Sequence, residues 1–252
     1  MPPTLRLNSL LTALPLDSQR RLTSNLELVP LPLGKVLYES GETLRYVYFP
    51  IDCIISSIYV MESGASAGIL VIGNEGMVGT AIFMGGENTP SRAIVQTGGC
   101  AYRLPVQKFK DEFNRHTDLL LLLLRYTQSL ITQIAQTAAC NRHHSIDQQL
   151  CRWLLLSLDR LPDNHITMTQ ELISNVLGVR REGVTEAAGK LQRLGVIEYS
   201  RGHITVVDRI QLEQLSCECY AVVKKETERL MPIAYPDPIP NSIYNIKLPP
   251  GS

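Results

Sequence analysis

ITMTQELISNVLGVRREGVTEAAGKLQRLGVIEYSRGHITVV, residues 166–207, is the stretch from which the rest of the chain is best understood. Thr169 opens an apolar-periodic run, and its hydroxyl suits an orphan backbone N–H at a helix start. Glu171 adds a carboxylate near the positive helix end. Leu172, Ile173, Val176 and Leu177 give that helix an apolar face, and Gly178 offers the left-handed backbone of a tight turn. Val184, Ala187 or Ala188, Leu191 and Leu194 recur at helical spacing in a second helix that Gly195 stops. Its other face carries Glu182, Thr185, Glu186 and Gly189, with Arg180 and Arg181 at its start. Residues 196–200 and 203–207 alternate as two strands about Arg201-Gly202. Polar residues crowded at the start of an otherwise anchored helix are what a major-groove reader requires. An ordinary helical hairpin buried in a core explains the two helices but not the glycine-marked strand pair that follows. The order predicts a winged helix-turn-helix, with double-stranded DNA as partner.

The chain has 252 residues, enough for one or two domains with a real core, and its formal net charge is zero. An electrostatic footprint for DNA must therefore be local. Arg180, Arg181, Lys190, Arg193, Arg201 and His203 gather in the quoted stretch, tempered by Glu182, Glu186 and Glu198. Cys53, Cys100, Cys140, Cys151, Cys217 and Cys219 are scattered without a disulfide-framework spacing. The first residues lack the apolar core of a secretion signal, and the leucine run at 119–124 is far shorter than a membrane span. A cytoplasmic location and no membrane partner are expected.

Residues 1–26 read as two short helices, the second capped at Asp17. From 27 to 105 short β-favouring runs alternate with glycines: VLY (36–38), YVYF (46–49), IISSIYV (54–60), ILVI (69–72), AIV (93–95) and AYRL (101–104). Many short strands with glycine turns predict a small barrel or jelly roll. Residues 106–144 are helix-rich, and Leu119, Leu123, Tyr126, Leu130, Ile134 and Thr137 step by threes and fours. That stripe either packs on the chain's own barrel or pairs with a second copy. A helix between two compact domains has little local core to cover, which favours a homodimer seam through Leu123, Tyr126, Leu130 and Ile134. Ser145 and Gln148 form a capping box for the next helix, whose face is Ile146, Leu150, Leu154 and Leu158. The DNA-binding domain spans 145–231, closing with one or two helices after 208. The proline-rich tail 232–252 is expected to be irregular. The predicted fold class is α+β: jelly-roll β-barrel, long dimerisation helix, winged helix-turn-helix.

With that order, the chain resembles the Crp/Fnr family of bacterial transcription regulators, most strongly over LPLGKVLYESGETLRYVYF (31–49) and over 169–206. The resemblance implies a homodimer whose sensory barrel alters the pose of two DNA-binding domains on an inverted repeat, with RNA polymerase as a further candidate partner. Carried over by position, the base-reading residues are Arg181, Glu182, Thr185 and Glu186. Thr169, Gln170, Arg180, Arg201 and His203 fall where phosphates would be met. Two departures matter: the family usually has a small hydroxyl residue at Arg180 and an arginine at Glu186. A carboxylate cannot bond guanine O6 or N7 but accepts from a cytosine amino group.

The resemblance also implies a cyclic-nucleotide cassette, opposite which this chain has GNEGMVGTAIFMGGENTPSRA (73–93). Around Gly79-Thr80-Ala81 the family's ribose-binding glutamate is missing, and the phosphate arginine is displaced to Arg92 behind Ser91. The adenine-contacting hydroxyl pair is replaced by Ile134 and Ala135. Cyclic AMP is therefore not expected as effector. Glu75, Gly79, Thr80, Ser91 and Arg92 mark where a different anion would sit. Cys140, His143, His144 and Cys151 lie close in sequence but read as a polar helix junction with a buried small cysteine. Cys217 and Cys219, taken as helical, point about 200° apart, a poor chelate. No metal is expected, and the sequence requires no cofactor. No P-loop, Ser/His/Asp set or paired-carboxylate arrangement is apparent, so a regulator is expected rather than an enzyme. The competing reading is a nucleotide- or small-ligand-sensing module acting on a protein partner.

Overall fold

The computed structural model describes residues 5, 7–115, 117–200 and 202–231; the expected tail at 232–252 and Arg201 lie outside the described residues. The chain opens with α1 (Ser9–Thr12) and α2 (Leu16–Thr23). Buried Asn8 caps α1 by accepting the Leu11 N–H, and its amide donates to the carbonyls of Pro50 and Gly76. One side chain thus ties the first helix to the sheet domain. The expected cap of α2 at Asp17 is corrected: Pro15 is the N-cap and Asp17 stands inside the first turn. Proline's fixed φ suits that boundary, and the Asp17 carboxylate acts there through the helix dipole.

Seven antiparallel strands follow: β1 (Glu27–Leu31), β2 (Val36–Tyr38), β3 (Tyr46–Pro50), β4 (Ile54–Val60), β5 (Ser66–Ile72), β6 (Arg92–Thr97) and β7 (Gly99–Pro105). They form two sheets in the orders β1-β7-β3 and β2-β6-β4-β5. Strand β1 escapes the sequence pattern because Pro30 interrupts it; the proline is tolerated because β1 is an edge strand that pairs with β7 alone. The core of this sandwich includes Val47, Phe49, Ile55, Val95, Ala101 and Leu104.

After α3 (Val106–Phe113) comes α4 (Thr117–His143), whose 27 residues extend about 40 Å. Leu119, Leu122, Leu123, Tyr126 and Leu130 of α4 belong to the core of the sandwich. The Tyr126 hydroxyl donates to the Met77 carbonyl at 2.8 Å and accepts the Met77 N–H at 3.0 Å. Three of the four residues expected in a dimer seam are therefore buried against the chain's own barrel. Ile134 alone stays partly open, and the exposed apolar side chains of α4 are Leu120, Leu121, Leu124, Ile131 and Ile134.

Helix α5 (Ile146–Leu158) starts with the expected capping box, Ser145 and Gln148 each bonding the other's backbone N–H. It is buried over most of its circumference rather than along one face. Against it pack α7 (Arg181–Arg193), α8 (Arg209–Leu215), α9 (Glu218–Leu230) and a sheet of order β8-β10-β9, while α6 (Gln170–Leu177) lies on α7 and β5. Strands β9 (Ile197–Ser200) and β10 (His203–Val206) are the predicted wing, and β8 (His165–Thr167) adds a third strand. The second core includes Ile54, Ile58 and Val71 of the sandwich, so the two halves share buried surface. Against β5, the Gly68 backbone meets Val176 so closely that a Cβ would lie 2.9 Å from its Cγ1 and 3.0 Å from its carbonyl oxygen. No helix among the described residues is long and apolar enough to cross a membrane.

Candidate nucleic-acid interface and barrel pocket

Helices α6 and α7 are set by local chemistry. Thr169 accepts the Leu172 N–H at 3.3 Å, and Gly178 closes α6 in the left-handed conformation at φ 66°. Val184, Ala187, Ala188 and Leu191 bury one side of α7. Leu194, expected on that side, is instead the C-cap and 46% exposed, because Gly195 at φ 72° turns the chain away. The opposite side presents Arg181, Glu182, Thr185 and Glu186, all four exposed. Steps of three and four return to one helix face, so they form one surface.

Gln170 organises that surface rather than standing apart from it. Its Oε1 lies 3.1 Å from the Thr185 hydroxyl and 3.5 Å from Arg181 Nε. Tyr199 of the wing, which sequence reasoning missed, lies close enough to act electrostatically with Gln170 and Arg181. Burial pushes its phenol up, opposed by the Arg181 charge and by Gln170. No spacing rule links position 199 to 170: Tyr199 alternates with buried Ile197 and is half-buried against the second core, so the strand pattern reads it as a core residue. Thr169, Arg180 and His203 are exposed around the same face, with His203 Nδ1 3.3 Å from the Thr167 hydroxyl. Lys190, at the far end of α7, is ion-paired with Asp147 of α5. Among the described residues, Arg180 and Arg181 stand at the start of α7, beside the positive end of its dipole.

Within the sandwich, a cavity of about 160 Å³ is lined by Tyr38, Tyr59, Met77, Gly79, Thr80, Ser91, Leu130 and Ile134, among others. Gly79 (φ 104°) begins a 3-10 turn over Thr80–Ile82. Burial pushes the Tyr38 phenol up to about 12, with a Tyr59 contribution in the same direction and a smaller opposing hydrogen bond to Ser91. The structure brings Gly79, Thr80 and Ser91 to this cavity but not Glu75 and Arg92. Arg92 pairs with Glu39 at 3.0 Å, and Glu75 pairs with Arg160 at 2.7 Å. The residues lining the cavity include no charged side chain.

The sequence cluster Cys140, His143, His144 and Cys151 does not assemble. His143 is exposed and Cys151 enters the second core, whereas Cys140 and His144 meet Cys217 and Cys219.

Residues 28–116 match the cyclic nucleotide-binding domain family and residues 148–215 the Crp-like helix-turn-helix domain family, together more than half of the chain. No curated protein matches. Among solved structures, the chain is similar to FixK2 from Bradyrhizobium japonicum at 15% identity and TM-score 0.63, over 76% of this chain and 98% of that one. A Crp/Fnr-family transcriptional regulator from Thermus thermophilus is 22% identical at TM-score 0.58, over 75% and 98%. The c-di-GMP-responsive global regulator CLP from Xanthomonas campestris is 14% identical at TM-score 0.57, over 76% and 99%. At these identities the likeness is one of fold.

Proposed function

The chain belongs to the Crp/Fnr family of transcription regulators, and we propose that it works as a homodimer that reads an inverted repeat without answering to cyclic AMP. The observation that carries this reading is the division of α7. Val184, Ala187, Ala188 and Leu191 hold one side in the core, leaving Arg181, Glu182, Thr185 and Glu186 together in solvent. A helix so anchored presents base-reading groups to the major groove without disturbing the fold. Arg181 suits guanine or a phosphate, and Glu182 suits a cytosine amino group. Thr169, Arg180 and His203 fit phosphates, which fix register and carry no sequence information.

The homodimer rests on α4. Leu121, Leu124, Gln128, Ile131, Ala135 and Ala138 repeat at spacings of three and four on the side turned away from the barrel. That is the period of a coiled-coil seam. Two copies about a two-fold axis would then meet half-sites about 34 Å apart.

A cyclic nucleotide needs a cation for its phosphate. The cavity in the sandwich offers phenols, hydroxyls and aliphatic walls, which suit a small neutral ligand. Binding-site selection from random duplex DNA tests the main reading. A palindromic consensus with half-sites one helical turn apart is expected, and recovery of no consensus would overturn it.

A further inference from the structure

Four metal-ligating side chains from distant parts of the sequence converge where α4 ends and α9 begins. Cys140 and His144 stand one turn apart at the end of α4. Cys217 is the N-cap of α9 and Cys219 lies in its first turn. Their ligand atoms all lie within 4.8 Å of one another. Cys140 Sγ is 3.6 Å from Cys217 Sγ, and Cys219 Sγ is 3.6 Å from His144 Nδ1. Tetrahedral coordination with metal–sulfur bonds of about 2.3 Å places neighbouring sulfurs about 3.8 Å apart, so only small side-chain shifts are needed. We propose that Cys140, His144, Cys217 and Cys219 bind a single zinc ion that staples α9 to the end of α4.

Two features around the four ligands fit this assignment. His144 turns Nδ1 to the thiols while its Nε2 lies 3.3 Å from Glu218 Oε2. A carboxylate behind a ligating imidazole fixes its tautomer and raises its basicity. The second feature is Arg152, which is 5% exposed; its Nε and Nη1 have no hydrogen-bond partner, and its Nη2 reaches the Thr137 hydroxyl at 3.2 Å. Among the described residues no carboxylate pairs with it. A buried guanidinium without a counter-charge is costly. Thr137 stands three residues before Cys140 on α4, which brings the guanidinium to the cysteine end of that helix. Three thiolates, one neutral imidazole and Zn²⁺ sum to a single negative charge, which would be the guanidinium's missing partner. Binding releases the three thiol protons to solvent. Soft thiolates with an imidazole select zinc over harder divalent ions. Four protein ligands close the coordination shell, which makes the site structural rather than catalytic.

The staple joins α9 to the end of α4, beside the His144–Ser145 junction that leads into α5, so it would fix how the DNA-binding half leaves the long helix. The test uses the full chain, reduced and freed of metal, then titrated with Co²⁺. A saturable signal at one equivalent is expected, with the visible bands of tetrahedral cobalt and a near-ultraviolet thiolate charge-transfer band, both abolished by Zn²⁺. Cys219→Ser should weaken cobalt binding at least about a hundredfold, whereas Cys53→Ser, at a buried thiol of the barrel core, should leave it unchanged. The wild-type titration decides the matter even if Cys219→Ser does not fold. Absence of the thiolate–cobalt band in reduced, folded wild type would overturn the assignment. So would a Cys140–Cys217 disulfide in the isolated protein that, once reduced, takes up no metal.

Discussion

Arg160, at the end of α5, donates from Nε to Oε1 of Glu75 in the sandwich at 2.7 Å, with the two side chains 6% and 18% exposed. Each group makes a further hydrogen bond: Arg160 Nη1 donates to the Leu156 carbonyl, and Glu75 Oε2 accepts the Gly73 N–H. The Gly73 backbone lies so near the arginine stem that a Cβ there would fall 2.5 Å from Arg160 Cβ. This pair links the sandwich to the DNA-binding half. Glu75→Gln would leave a buried guanidinium without its counter-charge and should lower unfolding stability by about 3 kcal/mol. Replacing both residues by methionine should cost far less. Urea denaturation of Glu75→Met, Arg160→Met and the double variant measures the coupling, and additive losses would show that the pair does not act as a unit.

Tyr126 locks α4 to the sandwich through both hydrogen bonds to Met77, over a backbone that only glycine permits. A Cβ on Gly76 would lie 2.3 Å from the Tyr126 hydroxyl oxygen. Tyr126→Phe strands a buried N–H and C=O and should cost about 1–3 kcal/mol. Gly76→Ala should cost at least as much, because the phenol must move. Thermal melts of the two variants check the order; a Gly76→Ala protein melting with wild type would mean that the ring has room to shift.

How much of this was legible in the sequence follows from how local each signal is. The Thr169 cap, the Gly178 turn and the buried side of α7 are set within about four residues, and the sequence pattern located all three. The face of α4 was not legible, because the helix carries two apolar stripes. Leu119, Leu123, Tyr126 and Leu130 make one, and Leu121, Leu124 and Ile131 make the other. Periodicity shows that a stripe exists but not which surface covers it. Glu75 was expected beside a ligand since nothing local marks its partner, 85 residues away. The pair Cys217 and Cys219 reads as a poor chelate only if both are helical, whereas Cys217 is the N-cap and lies outside the helical geometry.

The second stripe on α4 supplies a test of the dimer. Ile131, 59% exposed, can accept a charge without disturbing the monomer core, whereas Leu130 is buried. Ile131→Glu should therefore give a folded monomer with weakened binding to an inverted repeat, since two carboxylates would meet in the seam. Leu130→Glu should damage the barrel core itself. Light scattering and circular dichroism separate the outcomes. A dimeric Ile131→Glu protein at micromolar concentration would place the seam elsewhere.

Cyclic AMP should not bind. Arg92 is held by Glu39, Glu75 by Arg160, and the lining of the cavity in the sandwich carries no charged side chain. A cyclic phosphate entering it would lose its water without gaining a cation. Calorimetry at micromolar protein should register no heat of binding. A stoichiometric isotherm, abolished by Arg92→Ala, would mean that Arg92 leaves Glu39 to enter the pocket.

The proposed reading of DNA by α7 predicts different outcomes for groups that specify and groups that hold. Glu182 and Arg181 open α7 on its exposed side, and Gln170 positions Arg181 and Thr185 from the neighbouring helix. A carboxylate facing the groove accepts from cytosine and repels the lone pairs of guanine. Glu182→Ala should relax discrimination at one base pair of each half-site by about 1–3 kcal/mol. Arg180, exposed at the N-cap with no capping bond, faces no such constraint and suits a phosphate. Arg180→Ala should weaken binding to all sequences alike and reduce the salt slope by about one per half-site contacted. Gln170→Ala should fall between the two, loosening the Arg181 and Thr185 side chains and lowering affinity more for the selected site than for random DNA. Selection experiments with each variant, followed by titrations at several salt concentrations, distinguish these behaviours. If Glu182→Ala returns the wild-type consensus with equal stringency, α7 does not read bases through that carboxylate, and the assignment of this face as the reader fails at its most specific point.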